Sequence, residues 1–314
     1  MVEAITRGTF SMLAGSGLLK KAASRYGLRR ANSFARRFVA GESLEDAIGA
    51  AGALERQGLT VTLDLLGESV ATMEPALAAT HAYIGLVKAA AAAGISRNIS
   101  VKLTQIGLDI DRASAIDNLR RILHVATDAD FFVRVDMERS DHTDDTLEAV
   151  ESLWGIGARN IGVAIQAALR RSTTDVQTLN ALGMRVRLVK GAYQEPRDVA
   201  FHRKEDVDAH YVSLMELLLT HGHYPAIATH DPDIIDRTRA FAASHGITPD
   251  RFEFQMLYGI RRDLQLALVR EGYTVRVYVP YGREWFPYFM RRLGERPANV
   301  GFVLRNLFSE ERTT

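Results

Sequence analysis

A (βα)8 barrel is the fold class this sequence predicts, and three observations predict it. Eight short, nearly continuous apolar runs follow one another from Thr60 onward, each bounded by polar or glycine-containing stretches. Longer segments of helical period separate them, so strands buried on both faces alternate with helices, the pattern of a parallel sheet with right-handed crossovers. The eight runs occupy about 255 residues, a length that suits a closed barrel better than a doubly wound sheet. No GxGxxG or phosphate-loop pattern follows any run, although an open nucleotide-binding sheet would carry one at its first turn.

In chain order the strand-like runs are Thr60–Leu66, Ile99–Leu103, Phe131–Met137, Asn160–Gln166, Met184–Lys190, Ala226–His230, Phe252–Leu257 and Tyr273–Val279. Their content is β-branched and aromatic, and their length fits single strands. Helical periodicity appears over Glu74–Ala93, Ala113–Ala129, Thr143–Trp154, Val207–Thr220, Asp233–Ser244 and Arg262–Glu271. Residues 1–58 carry no strand signal and are expected to form two or three helices packed outside the barrel of residues 59–314, within one domain overall. The first 40 residues are rich in Arg and Ser and poor in acids, as a mitochondrial transit peptide can be. A structural helical lead-in is the preferred reading.

Of the 314 residues, 47% are hydrophobic and 25% charged, an ordinary globular composition that excludes disorder. Cysteine is absent, so disulfides, thiolate metal sites and thiol nucleophiles are excluded together. The 39 Lys and Arg nearly balance the 38 Asp and Glu, which argues against a nucleic-acid binder. No metal site is read from the chain. No run of apolar residues is long enough to span a bilayer, so the chain reads as cytoplasmic, with peripheral contact at an inner membrane face as the alternative.

Barrel active sites lie at the C-terminal ends of the strands. Reading those ends in order collects Asp64 and Glu68, Lys102, Asp136, Gln166, Arg187 with Lys190, Thr229 with His230, Gln255, and Tyr278. Ionisable groups in apolar runs are costly unless paired, so this many at one mouth mark a site. After the eighth run, Tyr288, Arg291, Arg292 and Glu295 share a helix face by their spacing of three and four. A solvated, salt-bridged face is the commoner use of such a helix. The alternative is a bidentate grip on a small zwitterion, for which Arg is suited.

Three segments in this order carry a resemblance: VKGAY at Val189–Tyr193, ATH at Ala228–His230, and YxxRRxxE at Tyr288–Glu295. With SVKL at Ser100–Leu103, the run ending near Asp136 and FQML at Phe254–Leu257, they resemble the proline dehydrogenase family from about Gly58 to Leu307. The resemblance implies a monofunctional flavoenzyme with a distorted, TIM-like (βα)8 barrel and a final helix over its mouth. Arg291 and Arg292 would clamp the proline carboxylate, with Lys102 adding a third positive charge. Tyr193, Leu257, Tyr278 and Tyr288 would wall the ring. Glu295 and Asp136 would hold these cations in place, Asp136 and Arg187 standing closest to the chemistry.

FAD is the implied cofactor, contacted by Met137, Gln166, Arg187, Val189, Lys190, Gly191, Ala192, Thr229 and His230. Glu68 and Arg291 would form a gate. The implied reaction moves a hydride from proline C5 to the flavin, giving Δ1-pyrroline-5-carboxylate, with a membrane quinone as acceptor and a separate pyrroline-5-carboxylate dehydrogenase taking the product. Membrane contact would fall to the basic N-terminal helices or to the stretch Val300–Phe308. Two positions depart from the pattern: Gln194 stands where bifunctional members often have Trp, and Asp231 where THN is commoner. The competing readings are another flavin barrel of the methylenetetrahydrofolate reductase type, a Schiff-base aldolase using Lys102 or Lys190, and a cofactor-free barrel that binds an amino acid.

Overall fold

The computed structural model describes residues 34–294. Eight strands close into one all-parallel barrel in sequential order. They are β1 (Thr60–Leu65), β2 (Asn98–Val101), β3 (Phe132–Val135), β4 (Ile161–Gln166), β5 (Arg185–Val189), β6 (Ala226–Ala228), β7 (Glu253–Leu257) and β8 (Val275–Tyr281). Closure is made by β1 against β8, with Thr62 opposite Tyr278 and Leu63 opposite Val279. Each expected run overlaps one strand, most trimmed by a residue or two at their ends, whereas β2 begins one residue before its expected start at Ile99 and β8 runs two residues past its expected end at Val279. The trimmed residues include Lys102, Asp136, Lys190, Thr229 and His230, which sit just past the strand ends.

Nine α-helices accompany the strands among the described residues: α1 (Leu44–Glu55), α2 (Met73–Ala92), α3 (Arg112–Asp128), α4 (Thr143–Gly155), α5 (Ser172–Ala181), α6 (Lys204–His221), α7 (Pro232–Ser244), α8 (Arg262–Arg270) and α9 (Trp285–Gly294). Side-chain caps start several of them. Ser43 and Asp46 form a reciprocal capping box on α1, and Asp111 accepts from the Ser114 amide at 2.8 Å to start α3. Helix α5 has no counterpart among the expected helices, because STTDVQTLNA is dominated by residues that equally favour turns.

Within each strand, side chains alternate between the barrel axis and the helical shell. The outward set, including Leu63, Val101, Val133, Leu188, Phe254 and Val279, joins the inner faces of the helices in one core. Helix α1 adds Ala47, Ala51 and Leu54 to that core, so it packs on the barrel wall. Of the segment expected to precede the barrel, residues 1–33 lie outside the described residues. A second apolar cluster unites Phe38, Val39 and Leu66 with Trp285, Phe286, Tyr288, Phe289 and Met290 of α9. That cluster fixes α9 against the end of β1. Among the described residues no helix is long and apolar enough to cross a membrane.

Candidate active site

The inward alternation gathers the strand-end residues into one network. Lys102, 7% exposed, donates from Nζ to Oδ1 of the fully buried Asp64 at 2.9 Å and lies 3.7 Å from Asp136 Oδ2. Arg187, 4% exposed, sends Nη1 to Asp136 Oδ1 at 2.5 Å, Nε to Gln255 Oε1 at 2.6 Å and Nη2 to Ser100 Oγ at 3.0 Å. Tyr278 donates its hydroxyl to Asp136 Oδ2 at 2.8 Å, and the Arg187 guanidinium lies over its ring at 5.4 Å. Asp136 thus receives Arg187, Lys102 and Tyr278 together, which satisfies a carboxylate taken partly out of water.

Charge states follow from these contacts. Burial alone would lower the Lys102 pKa, but Asp64 and Asp136 reverse the effect and raise it, so the ammonium stays charged. Burial pushes the Asp64 carboxyl up, and Lys102 opposes this. Its Oδ2 is buried without a hydrogen-bond partner among the described residues. Burial, then the Asp136 and Asp64 charges, raise the Tyr278 pKa, which keeps its hydroxyl a donor.

A second group lies above this layer. Arg291 of α9 donates from Nη1 to Glu68 Oε1 at 2.8 Å, and both side chains are half-buried. Burial lowers the Arg291 pKa, and the charges of Glu68 and then Tyr193 more than restore it. Tyr193 is pushed up to about 12 by burial and by the Glu68 charge, with Arg291 opposing. The Arg292 guanidinium stacks over the ring of Tyr288 at 5.2 Å, and Leu257 packs against the cluster that holds Tyr288. Glu295, expected on the same helix face, lies outside the described residues, as does Val300–Phe308.

A third group follows β4, β5 and β6. Gln166, 2% exposed, donates from Nε2 to the Glu138 carbonyl at 2.7 Å. Gly191 has φ 115°, and a Cβ there would stand 3.1 Å from Gln166 Oε1, so a side chain would crowd that amide. Val189 ends β5, and Lys190, Gly191 and Ala192 form the turn beyond it. Lys190 pairs with Asp208 at 2.5 Å and Asp231 at 3.0 Å. Asp231, one of the two departures noted above, also caps α7 by accepting from the Asp233 amide at 3.2 Å. Thr229 Oγ1 accepts from the Asp231 amide at 3.1 Å, and His230 Nε2 accepts from the Leu257 amide at 2.8 Å. Met137 is buried just past β3.

Sequence reasoning missed four members of this mouth. Ser100 is the third partner of Arg187. Glu138 is a buried carboxylate held by Thr104. Glu195 accepts from the amide and hydroxyl of Ser140 at 3.0 and 2.5 Å, tying the loop that carries Tyr193 to the one after β3. Asp208 meets Lys190 from α6. Only Ser100 lies in a predicted strand, where alternation with Lys102 would have placed it inside. The other three depend on contacts between distant segments.

A closed parallel barrel with paired charges at the C-terminal ends of its strands defines a (βα)8-barrel enzyme. The family model "Proline dehydrogenase" matches residues 47–305. Proline dehydrogenase 1 of Bacillus subtilis (strain 168) is 43% identical over 304 residues, covering 97% of this chain and 99% of that protein. Proline dehydrogenase of Deinococcus radiodurans is 46% identical over 279 residues, covering 88% and 90%. A solved structure of proline utilization A from Bdellovibrio bacteriovorus, inactivated by N-propargylglycine, superposes with a TM-score of 0.79 at 27% identity, over 89% of this chain and 34% of that one. The chain belongs to the proline dehydrogenase family.

Proposed function

We propose that this protein oxidises L-proline to Δ1-pyrroline-5-carboxylate with FAD as bound oxidant. A membrane quinone would be the final acceptor, and the product would pass to a separate pyrroline-5-carboxylate dehydrogenase. The observation that carries this reading is the division of charge at the mouth. Lys102 and Arg187 are committed to Asp64 and Asp136, whereas Arg291 meets a single half-buried Glu68. A substrate carboxylate would therefore be gripped from α9, by Arg291 and Arg292, with Lys102 adding charge from below. Tyr193, Leu257, Tyr278 and Tyr288 surround that position with ring faces and an aliphatic wall suited to a pyrrolidine.

The residues after β4 to β6 fit a flavin. Gln166 offers an amide, Gly191 keeps its face uncrowded, and Lys190 supplies a cation beside a turn of small residues. Arg187, Val189, Ala192, Thr229, His230 and Met137 would complete the cradle. When bound, the flavin would supply the acceptor for a hydride from proline C5. The chain's part is to orient the ring, exclude water and favour the neutral amine, since cations in a poorly solvated mouth disfavour a protonated one. Heat-released cofactor should run as FAD on chromatography, and proton NMR should show proline converted to the pyrroline. Release of FMN would overturn the cofactor assignment, and unconverted proline the activity.

A further inference from the structure

Glu68 lies on the loop between β1 and α2, where a charged side chain would ordinarily sample many positions. Here the chain after it is tied down by hydrogen bonds and the chain before it is closely packed. The Ser69 amide donates to Thr104 Oγ1 at 3.0 Å, and the Val70 amide to the Thr104 carbonyl at 3.3 Å. Ser69 holds φ 52°, a left-handed conformation unfavourable for any residue but glycine, so these bonds maintain a turn the chain would not choose alone. On the other side, a Cβ on Gly67 would stand 2.5 Å from Gln105 Nε2, and Gln105 Oε1 accepts from the Tyr83 hydroxyl at 2.8 Å.

Thr104 is itself oriented. Its hydroxyl donates to Glu138 Oε1 at 2.5 Å and its amide to Glu138 Oε2 at 3.1 Å, with Glu138 only 4% exposed. With its proton committed to Glu138 Oε1, the Thr104 hydroxyl keeps an oxygen lone pair for the Ser69 amide. An amide side chain at 138 would remove that direction, because it can donate as well. The Glu138 carbonyl meanwhile accepts from Gln166 Nε2 at 2.7 Å. One residue therefore touches both the anchor of the Glu68 loop and a residue of the proposed flavin cradle.

We propose that Glu138 is a positioning residue which, through Thr104, holds the Glu68 loop so that Glu68 meets Arg291 over the site. This rests on the reading of Glu68 and Arg291 as a gate. The test compares Thr104→Val, Thr104→Ser and Glu138→Gln in the cofactor-loaded protein, each with and without Glu68→Ala. Proline KM, kcat and hydrogen exchange at Ser69 and Val70 are the readouts. Thr104→Val and Glu138→Gln should raise KM by no more than Glu68→Ala does, about two- to fivefold, with kcat within about twofold. Their Ser69 and Val70 amides should exchange faster, and Thr104→Ser should restore both values.

In the Glu68→Ala background neither substitution should raise KM further. Full additivity there, or Thr104→Ser no better than Thr104→Val, would overturn the proposal. Unchanged KM in Glu68→Ala alone would overturn the gate reading and this inference with it. A raised KM in Glu68→Ala beside a normal Thr104→Val would overturn this inference alone. If Thr104→Val does not fold, exchange in Glu138→Gln decides, and unaltered exchange there overturns the proposal.

Discussion

The barrel buries charge in two layers, and they are built differently. In the deeper layer Arg276 grips Glu253 with two hydrogen bonds, at 2.9 and 3.0 Å, and gives a third to the Val61 carbonyl at 2.8 Å. Arg134 donates to the carbonyls of Val163 and Arg185 and lies over the Phe132 ring at 4.9 Å. Gly162 permits this, because a Cβ there would stand 2.8 Å from Arg134 Nη1 and 2.4 Å from the Arg185 carbonyl. These groups are spent on carbonyls, rings and one carboxylate, although Arg134 Nε is itself buried without a hydrogen-bond partner among the described residues.

The mouth layer instead collects cations and acids from strands far apart in sequence, and the atom it leaves without a partner among the described residues is an acceptor, Asp64 Oδ2. Gln255 joins the layers, accepting from Arg187 and donating to Glu253 at 2.5 Å. Buried charge alone does not mark a site. Its place along the strand, and whether its partners face a space, separate the two uses.

The largest expected effect would sharpen this contrast at the mouth. Asp136→Ala strips Arg187, Lys102 and Tyr278 of their shared acceptor. Proline kcat/KM should fall by about a thousandfold, as when a preorganised electrostatic contact is lost, and steady-state kinetics on the folded protein checks it. A loss under tenfold would place Asp136 with the structural charges. In the deeper layer, Glu253→Gln leaves Arg276 buried against a neutral group. Stability should fall by about 3–5 kcal/mol, while kcat/KM of the folded fraction stays within about twofold. Urea unfolding beside kinetics measures both, and a selective loss of turnover would erase the distinction between the layers.

Smaller effects belong to the half-buried pair above. Arg291→Ala removes a proposed carboxylate contact worth about 1.5–3 kcal/mol, so proline KM should rise ten- to a hundredfold. Glu68→Ala removes only an ion pair worth about 0–1 kcal/mol at such exposure, and its KM should rise less. The reverse order would mean that Glu68, rather than Arg291, meets the substrate.

The smallest effect concerns pH. Burial raises the Glu138 pKa above its ordinary 4.5, against the Thr104 hydrogen bonds. A raised acid stabilises the fold at low pH and loses that contribution as pH rises through its folded pKa. The thermal midpoint of the wild type relative to Glu138→Gln should therefore decline as pH rises from 4.5. Differential scanning fluorimetry checks it, and a difference that grows with pH would mean that the Thr104 hydrogen bonds outweigh burial.

The barrel was legible because its strands are short, apolar and regularly spaced, and the strand-end rule then found Asp64, Lys102, Asp136, Arg187 and Tyr278. The same rule could not find Glu138, which lies in a polar stretch past β3 and is buried only because Thr104, 34 positions earlier, folds onto it. The Glu68–Arg291 contact joins residues 223 positions apart. No spacing pattern encodes that pair, which was reached through family resemblance. Helix α5 was lost for a local reason, its Ser, Thr and Asn content masking its period.

Anaerobic titration of the purified protein with L-proline, followed in the flavin absorption band, reads proline oxidation by the bound flavin itself. The wild type should be a yellow, FAD-containing protein whose band bleaches on proline addition, with far less bleaching in Asp136→Ala and full bleaching in folded Glu253→Gln. A band that proline leaves unchanged in the wild type would contradict proline oxidation by the flavin.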